Sequence, residues 1–509
     1  MVRRVNAGGG SVCGDAAKGG VISGVRAAWR VVLLPALLAL FTLASALTAN
    51  GAAGAANGAA AAGPMEGKPE ARGLWVVRDQ LTTPENIRAI VDTAAANNFN
   101  LLIVQVSGRG DAYYQSDLLP RARGLAGQPA SFDPLALVIK LAHERGLKVH
   151  AWLNDFYVAP FNDDAEPKHV IRQHPDWVTY DYQGRSATTL APEDNVVDVE
   201  GMFVDPGLPE VRAWVASRFA EVARKYDVDG VHHDFVRYPD PNFGFHPRVR
   251  EEFKAKYGVD PLDIRNKPSE LRQKLGRPKF GEVRDAWTRY RADAVSATVK
   301  AVADAVRSVK PGIEISAATV AYYKSAVEEK GQDWYIWLEH GWIDTAVPMA
   351  YSPETMTTDY HIKEAVAHQK GGAVYAGLGA WLLVDKLPSL VEKVNHAREL
   401  GAGGVVFFDY GSMAARPGLI EALAREIFPT PAPYPARGKL KDGEAAPDSA
   451  AAPPFAKGAK GYFVLMADEG VVNLLEQKPS HKPGRGVIEA DEAADRDGPR
   501  AVVPGNGAG

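Results

Sequence analysis

Eight short apolar runs, separated by amphipathic segments, constrain this chain more than any other feature. The runs lie at 73–79, 100–108, 147–154, 228–238, 313–320, 343–351, 373–381 and 404–410. The segments between them read as helices. "TPENIRAIVDTAAANN" opens on Thr83 with Pro84 at the first helical position. "DPLALVIKLAHERG" opens on Asp133 and Pro134 and closes on Gly146. "LPEVRAWVASRFAEVARKY" and "LPSLVEKVNHARELG" repeat that arrangement. Strand–helix alternation implies parallel strands joined by crossover helices. Eight strands are the number that closes a barrel. An open doubly wound sheet shares the alternation, but it usually has a Gly-rich phosphate turn after the first strand. "VVRDQLTTPE" has none. The expected fold class is α/β, a (β/α)8 TIM barrel over residues 70–429 with a low-complexity C-terminal tail.

The flanks differ in texture. Val31 to Leu47, "VVLLPALLALFTLASAL", is apolar and follows Arg26 and Arg30. Ala44-Ser45-Ala46 suits signal peptidase, so residues 1–49 read as a secretory signal, the alternative being an uncleaved membrane anchor. The compartment expected is extracytoplasmic: periplasm, cell surface or medium. The one cysteine, Cys13, precedes the apolar run, so a cleaved product has no thiol chemistry. Residues 50–69 are Ala/Gly-rich and read as a flexible linker. Residues 430–509 are Pro/Ala-rich and read as a largely disordered tail. The net charge of −4 gives no reason to expect nucleic acid or an anionic membrane as partner. Contact with a membrane is expected only through an uncleaved N-terminal segment.

In such a barrel chemistry gathers where strands end at the C-terminal face. Polar residues crowd those ends: Arg78 and Asp79, Gln105 and Arg109, Asn154 and Asp155, Asp234 and Arg237, Tyr351 and Glu354, Asp409 and Tyr410. The N-terminal halves of the same runs read as nearly all apolar. The stretch "DGVHHDFVRYP" (229–239) places polar side chains inside a strand. Side chains alternate along a strand, so Gly230, His232 and Asp234 share one face while Val231, His233 and Phe235 share the other. Val231 and Phe235 suit the helix layer, so the first set should face the barrel interior, with Asp234 at the mouth. His233 is expected to fill space between sheet and helix.

Several stretches resemble a known family. They are "RGLWVVRD", "HAWLN", "FVDPGLPEVR", "DGVHHDFVRYP", "QDWYIWLEHGWIDTAVPMAYS" and "GGVVFFDYGS", in order between Arg72 and Phe428. They look like the glycosyl-hydrolase-like 10 family of bacterial envelope TIM-barrel proteins. The resemblance implies cleavage of an envelope glycan, a peptidoglycan strand or an exopolysaccharide. One departure is His233, where the family usually has an apolar residue.

Glycoside hydrolysis needs two carboxyl groups, one ionised and one protonated. Asp234 is the candidate for the ionised role, since its fourth-strand position resembles the nucleophile position of several sugar-cleaving barrels. Arg237 and His232 are expected to hold it ionised. Glu354 is the first candidate for the acid, Asp409 and Asp155 are alternatives, and Asp333 is a more remote one. Sugar faces stack on aromatic rings. Tyr113, Trp152, Tyr238, Tyr351 and Trp381 are therefore candidate substrate contacts, together with Arg78, Gln105 and Asn154. The loop pairs Tyr113-Tyr114 and Tyr322-Tyr323 look best placed for a cleft. No cofactor and no metal is expected. Two rival readings are a non-catalytic glycan-binding barrel and a metal-dependent deacetylase or amidohydrolase suggested by "HHD".

Overall fold

The structure is a computed structural model that describes residues 67–436, apart from 164, 192–193 and 195–198. The proposed signal or anchor, most of the linker and the tail beyond 436 lie outside the described residues. Among the described residues no helix is long and apolar enough to cross a membrane.

Eight strands form a closed barrel: β1 (Ala71–Val76), β2 (Leu101–Ser107), β3 (Lys148–Asn154), β4 (Gly230–Asp234), β5 (Glu314–Val320), β6 (Thr345–Met349), β7 (Ala373–Gly379) and β8 (Gly404–Phe408). Each strand pairs in parallel with its sequence neighbours, and β1 closes against β8 with Ala71 opposite Gly404. The jacket consists mainly of α1 (Pro84–Ala96), α2 (Pro134–Glu144), α3 (Pro209–Lys225), α4 (Arg277–Val309), α5 (Trp334–Glu339), α6 (Thr355–Ala367), α7 (Leu387–Glu399) and α8 (Leu419–Ile427). This is the (β/α)8 barrel that the alternation implied.

Local chemistry explains the helix starts. Thr83 accepts from the Asn86 N–H at 3.2 Å and Asp133 from the Ala136 N–H at 3.0 Å, each just before a proline. The other two helices expected to follow this pattern do so only in part. They keep proline in the first turn, but Leu208 and Lys386 precede them and give no side-chain cap.

The barrel separates two apolar cores. The larger lies between sheet and helices. The smaller fills the barrel and includes Trp75, Leu101, Ile103, Trp152, Val347 and Val406. Gly377 makes room for the largest of these, because a Cβ there would lie 3.0 Å from the Trp75 ring. The barrel floor is more polar than the apolar reading of the lower strand halves allowed. His150 and Glu314 are both buried there, 3.6 Å apart. Thr345 and Tyr434 donate to Glu314 at 2.7 and 3.0 Å. A buried charge needs such partners. The segment assigned to the tail from residue 430 therefore begins as part of the domain. Arg72 donates to the Thr430 carbonyl at 2.6 Å, the Glu70 N–H to that of Pro433 at 3.0 Å, and Tyr434 closes the floor.

Candidate active site

Strand register sets the height of each polar side chain. Asp234 stands opposite Asn154 on the top row, His232 opposite Trp152 one row down, and Gly230 opposite His150 at the bottom. Asp234 Oδ1 accepts from the Phe235 N–H at 2.6 Å and lies 3.4 Å from Arg237 Nη1. Both donors favour the carboxylate. Phe235 adopts a left-handed conformation (φ 48°), which turns the chain at the strand end. The Arg237 guanidinium lies over the Phe235 ring at 4.3 Å.

A polar chain lines the β1–β3 side. Arg78 Nη1 donates to Gln105 Oε1 at 2.9 Å, Gln105 Nε2 to Asn154 Oδ1 at 3.4 Å, and Trp152 Nε1 to the same oxygen at 2.9 Å. Asn154 Nδ2 donates to the Gly108 carbonyl at 2.8 Å. Arg78, Gln105 and Asn154 are thus brought together. Trp152 lies beneath them, 3% exposed, as part of the barrel filling.

His232 does not support Asp234 as expected. Trp75 Nε1 can only donate, so His232 Nε2 accepts from it at 3.1 Å. The His232 proton then sits on Nδ1, 2.8 Å from Ser316 Oγ. Ser316 Oγ also lies 3.0 Å from His150 Nδ1 and 3.4 Å from the Val231 carbonyl oxygen. Both His232 nitrogens are engaged below the mouth, which removes the imidazole from the "HHD" metal reading. Among the described residues no group of three His, Cys, Asp or Glu could hold a metal ion.

Burial holds the His232 pKa well below 6.5, and the charges of His150 and His233 act the same way. The unfolded chain takes up a proton near pH 6.5 that the folded barrel refuses. This site's contribution is therefore complete above pH 6.5 and is lost as pH falls below it, by up to about 1.4 kcal/mol per pH unit. In urea unfolding, the stability gap between wild type and His232→Gln should shrink as pH falls from 7.5 to 5.5. A gap independent of pH would contradict the buried neutral imidazole.

The candidate acids separate clearly. Glu354 is exposed, at the residue preceding α6, and the structure does not bring it to Asp234. Asp155 turns outward: its carboxylate meets His233 Nδ1 at 2.9 Å in the helix layer, where His233 stacks on Phe219. Asp333 is held by Arg289 at 2.6 Å and by the Tyr323 hydroxyl. Asp409 caps the short helix Tyr410–Ala414, accepting from the Ser412 N–H at 3.1 Å, and burial pushes its pKa up. Tyr351 lies within electrostatic reach of Asp234, Asp409 and Arg237. Its ring meets Phe408 at 5.7 Å and Trp75 at 6.4 Å.

Several aromatic candidates are buried. Tyr238 is buried, donates to Asp205 at 3.3 Å and lies under the Arg291 guanidinium. Tyr113 is 5% exposed, and burial raises its pKa to about 12. Tyr114 is buried and donates to Glu221 at 3.1 Å. Tyr323 stacks on Tyr335 at 3.6 Å. Tyr114 and Tyr323 are thus engaged in local contacts, whereas Tyr113 lies within electrostatic range of Arg78 and Arg109. Trp381, just after β7, is half-buried, and its indole N–H has no partner among the described residues.

One residue at the mouth escaped the strand-end rule. Glu200 Oε1 lies 3.9 Å from Arg237 Nη2 and its side chain is 7% exposed. It sits in the long excursion between β3 and α3, where no barrel strand ends. The only sequence signal was its closeness to "FVDPGLPEVR".

A closed (β/α)8 barrel with a buried, arginine-paired carboxylate at its C-terminal mouth places the candidate chemistry where such barrels carry it. The glycosyl hydrolase-like 10 family model matches residues 70–378, more than half of the chain. The chain belongs to that family. It is 26% identical over 286 residues to "Glycosyl hydrolase YngK" of Bacillus subtilis (strain 168), covering 52% of this chain and 48% of that protein. It is 25% identical over 282 residues to "Glycosyl hydrolase DigH" of Escherichia coli (strain K12), covering 50% of this chain and 55% of that one. The chain thus spans about half the length of the curated relatives it matches. Its fold also matches the PgaB (BpsB) glycoside hydrolase domain from Bordetella bronchiseptica, with a TM-score of 0.53, 16% identity, 70% of this chain covered and 99% of that one.

Proposed function

We propose that this protein hydrolyses glycosidic bonds in a bacterial cell-envelope glycan, a peptidoglycan strand or an exopolysaccharide, outside the cytoplasm. The observation that carries the reading is Asp234, which accepts from the Phe235 N–H and faces Arg237, at the mouth of a barrel that also places Tyr351 and Arg78 there. An ionised carboxylate in that place attacks the anomeric carbon or deprotonates the water that attacks it. The partly exposed Tyr351 ring suits the apolar face of a sugar. The family and the curated relatives named as glycosyl hydrolases support the reaction class. The apolar run at 31–47 supports export.

The test is to incubate the purified protein with peptide-free peptidoglycan strands and with exopolysaccharides. New reducing ends and shorter chains are expected from one of them. Binding without shortening on every glycan would replace the hydrolase with a glycan-binding barrel.

A further inference from the structure

The barrel mouth holds a second carboxyl that no strand end supplies. Glu200 lies two residues before Met202–Phe203, a short strand paired antiparallel with Tyr157–Ala159. Phe203 packs against Tyr157 at 5.5 Å and against Phe235 at 5.9 Å. Phe235 directly follows Asp234, so one aromatic cluster ties both carboxyl-bearing segments together. Gly201 sets the approach. Its φ is 148°, and a Cβ there would lie 2.3 Å from the Ala159 carbonyl oxygen. Only glycine allows that close passage beside Glu200. Arg237 then draws both carboxyls to one guanidinium: Asp234 to Nη1 at 3.4 Å and Glu200 to Nη2 at 3.9 Å, with side chains 10% and 7% exposed.

Resting on the glycosidase reading above, we propose that Glu200 is the general acid that works with Asp234. One guanidinium faces both shielded carboxyls, and the second negative charge is the harder one to hold there. Asp234 also receives the Phe235 N–H at 2.6 Å, which assigns the negative charge to it. Lys330 is a cation within electrostatic range of Glu200, with Asp240 beside it, and its charged form is disfavoured by burial and by Arg237. In this proposal the transferable proton is on Glu200. During cleavage that proton passes to the glycosidic oxygen as the bond from the anomeric carbon to that oxygen breaks. The bond's electron pair leaves with the oxygen, which departs as a sugar hydroxyl. A water oxygen becomes the new hydroxyl on the anomeric carbon, and its released proton returns to the carboxyl pair. One water is consumed and both side chains regain their starting states.

The experiment compares wild type, Glu200→Gln, Glu200→Asp and Asp409→Asn on two substrates. The first is peptide-free glycan strands, or whichever glycan wild type cuts. The second is a 2,4-dinitrophenyl glycoside of the sugar found at the new reducing ends, whose leaving group needs no proton. Glu200→Gln should lose about 10²–10⁴-fold on the glycan and stay within about tenfold on the activated glycoside. Its pH–rate profile should lose the basic limb. Glu200→Asp keeps the chemistry but shortens the reach, and covers the case in which the glutamine variant folds poorly. It should show the same contrast between substrates. Wild-type glycan turnover in both Glu200 variants, with Asp234→Asn dead, overturns Glu200 alone. The leaving-group contrast in Asp409→Asn instead moves the acid to Asp409 and overturns it too. A wild type that cuts no glycan overturns the glycosidase reading, and this proposal with it.

Discussion

Asp234→Asn should leave the barrel folded and remove at least about 10³-fold of glycan turnover, on the order of 4 kcal/mol of transition-state stabilisation. The geometry explains why stability and activity part company at this position. An asparagine oxygen still accepts from the Phe235 N–H and still faces Arg237, which now occupy Asp234 at 2.6 and 3.4 Å. The fold loses a partly desolvated charge and little packing, so the urea midpoint should correspond to a change within about 1 kcal/mol. What disappears is the anionic oxygen that the anomeric carbon or a water proton requires. Glycan binding should persist, because the substitution leaves the rest of the mouth in place. Turnover retained in this variant, at wild-type unfolding energy, would take Asp234 out of the mechanism.

Arg218→Ala should cost about 3–5 kcal/mol of stability, the largest such effect expected of a single charged residue here. Arg218 is fully buried on α3, and burial pulls its pKa down to about 10. Its guanidinium donates to the carbonyls of Asn154 at 3.2 Å and Asp155 at 2.7 Å, and lies 3.9 Å from the Trp214 ring. Truncation orphans two carbonyl oxygens at the end of β3, opens a cavity under α3, and removes a cation beside the Asp155–His233 pair. Arg218→Met restores most of the volume but none of the donors, so it should recover only the packing share of the loss. Urea unfolding of the three proteins reads this directly. An Arg218→Ala cost below about 1 kcal/mol would mean that water or a shifted side chain replaces those bonds.

The same strand end shows how far strand-end reasoning reaches. Asn154 and Asp155 are adjacent in sequence and both polar, and period two sends them opposite ways. Asn154 joins Gln105 at the mouth, whereas Asp155 enters the helix layer and meets His233. The split between His232 inside and His233 outside follows from the same rule and was legible from Val231 and Phe235. The use of His232 was not, because its partners Trp75 and Ser316 come from strands far away in sequence. Glu354 shows the opposite failure. It follows β6 closely in sequence, but α6 starts beside it and leaves its side chain exposed.

The sequence by itself determined the barrel, the face of each strand and the height of Asp234. All three follow from periodicity along one short segment at a time, and the hydrophobic effect enforces it locally. Tertiary structure alone decided which carboxyls meet. Glu200 and Asp234 are joined through Arg237 only because the β3–α3 excursion folds back over the mouth on an aromatic cluster. It also decided that Tyr434, from a segment that reads as tail, closes the barrel floor against Glu314. Such contacts depend on loop closure between distant residues, which no local pattern in the chain encodes.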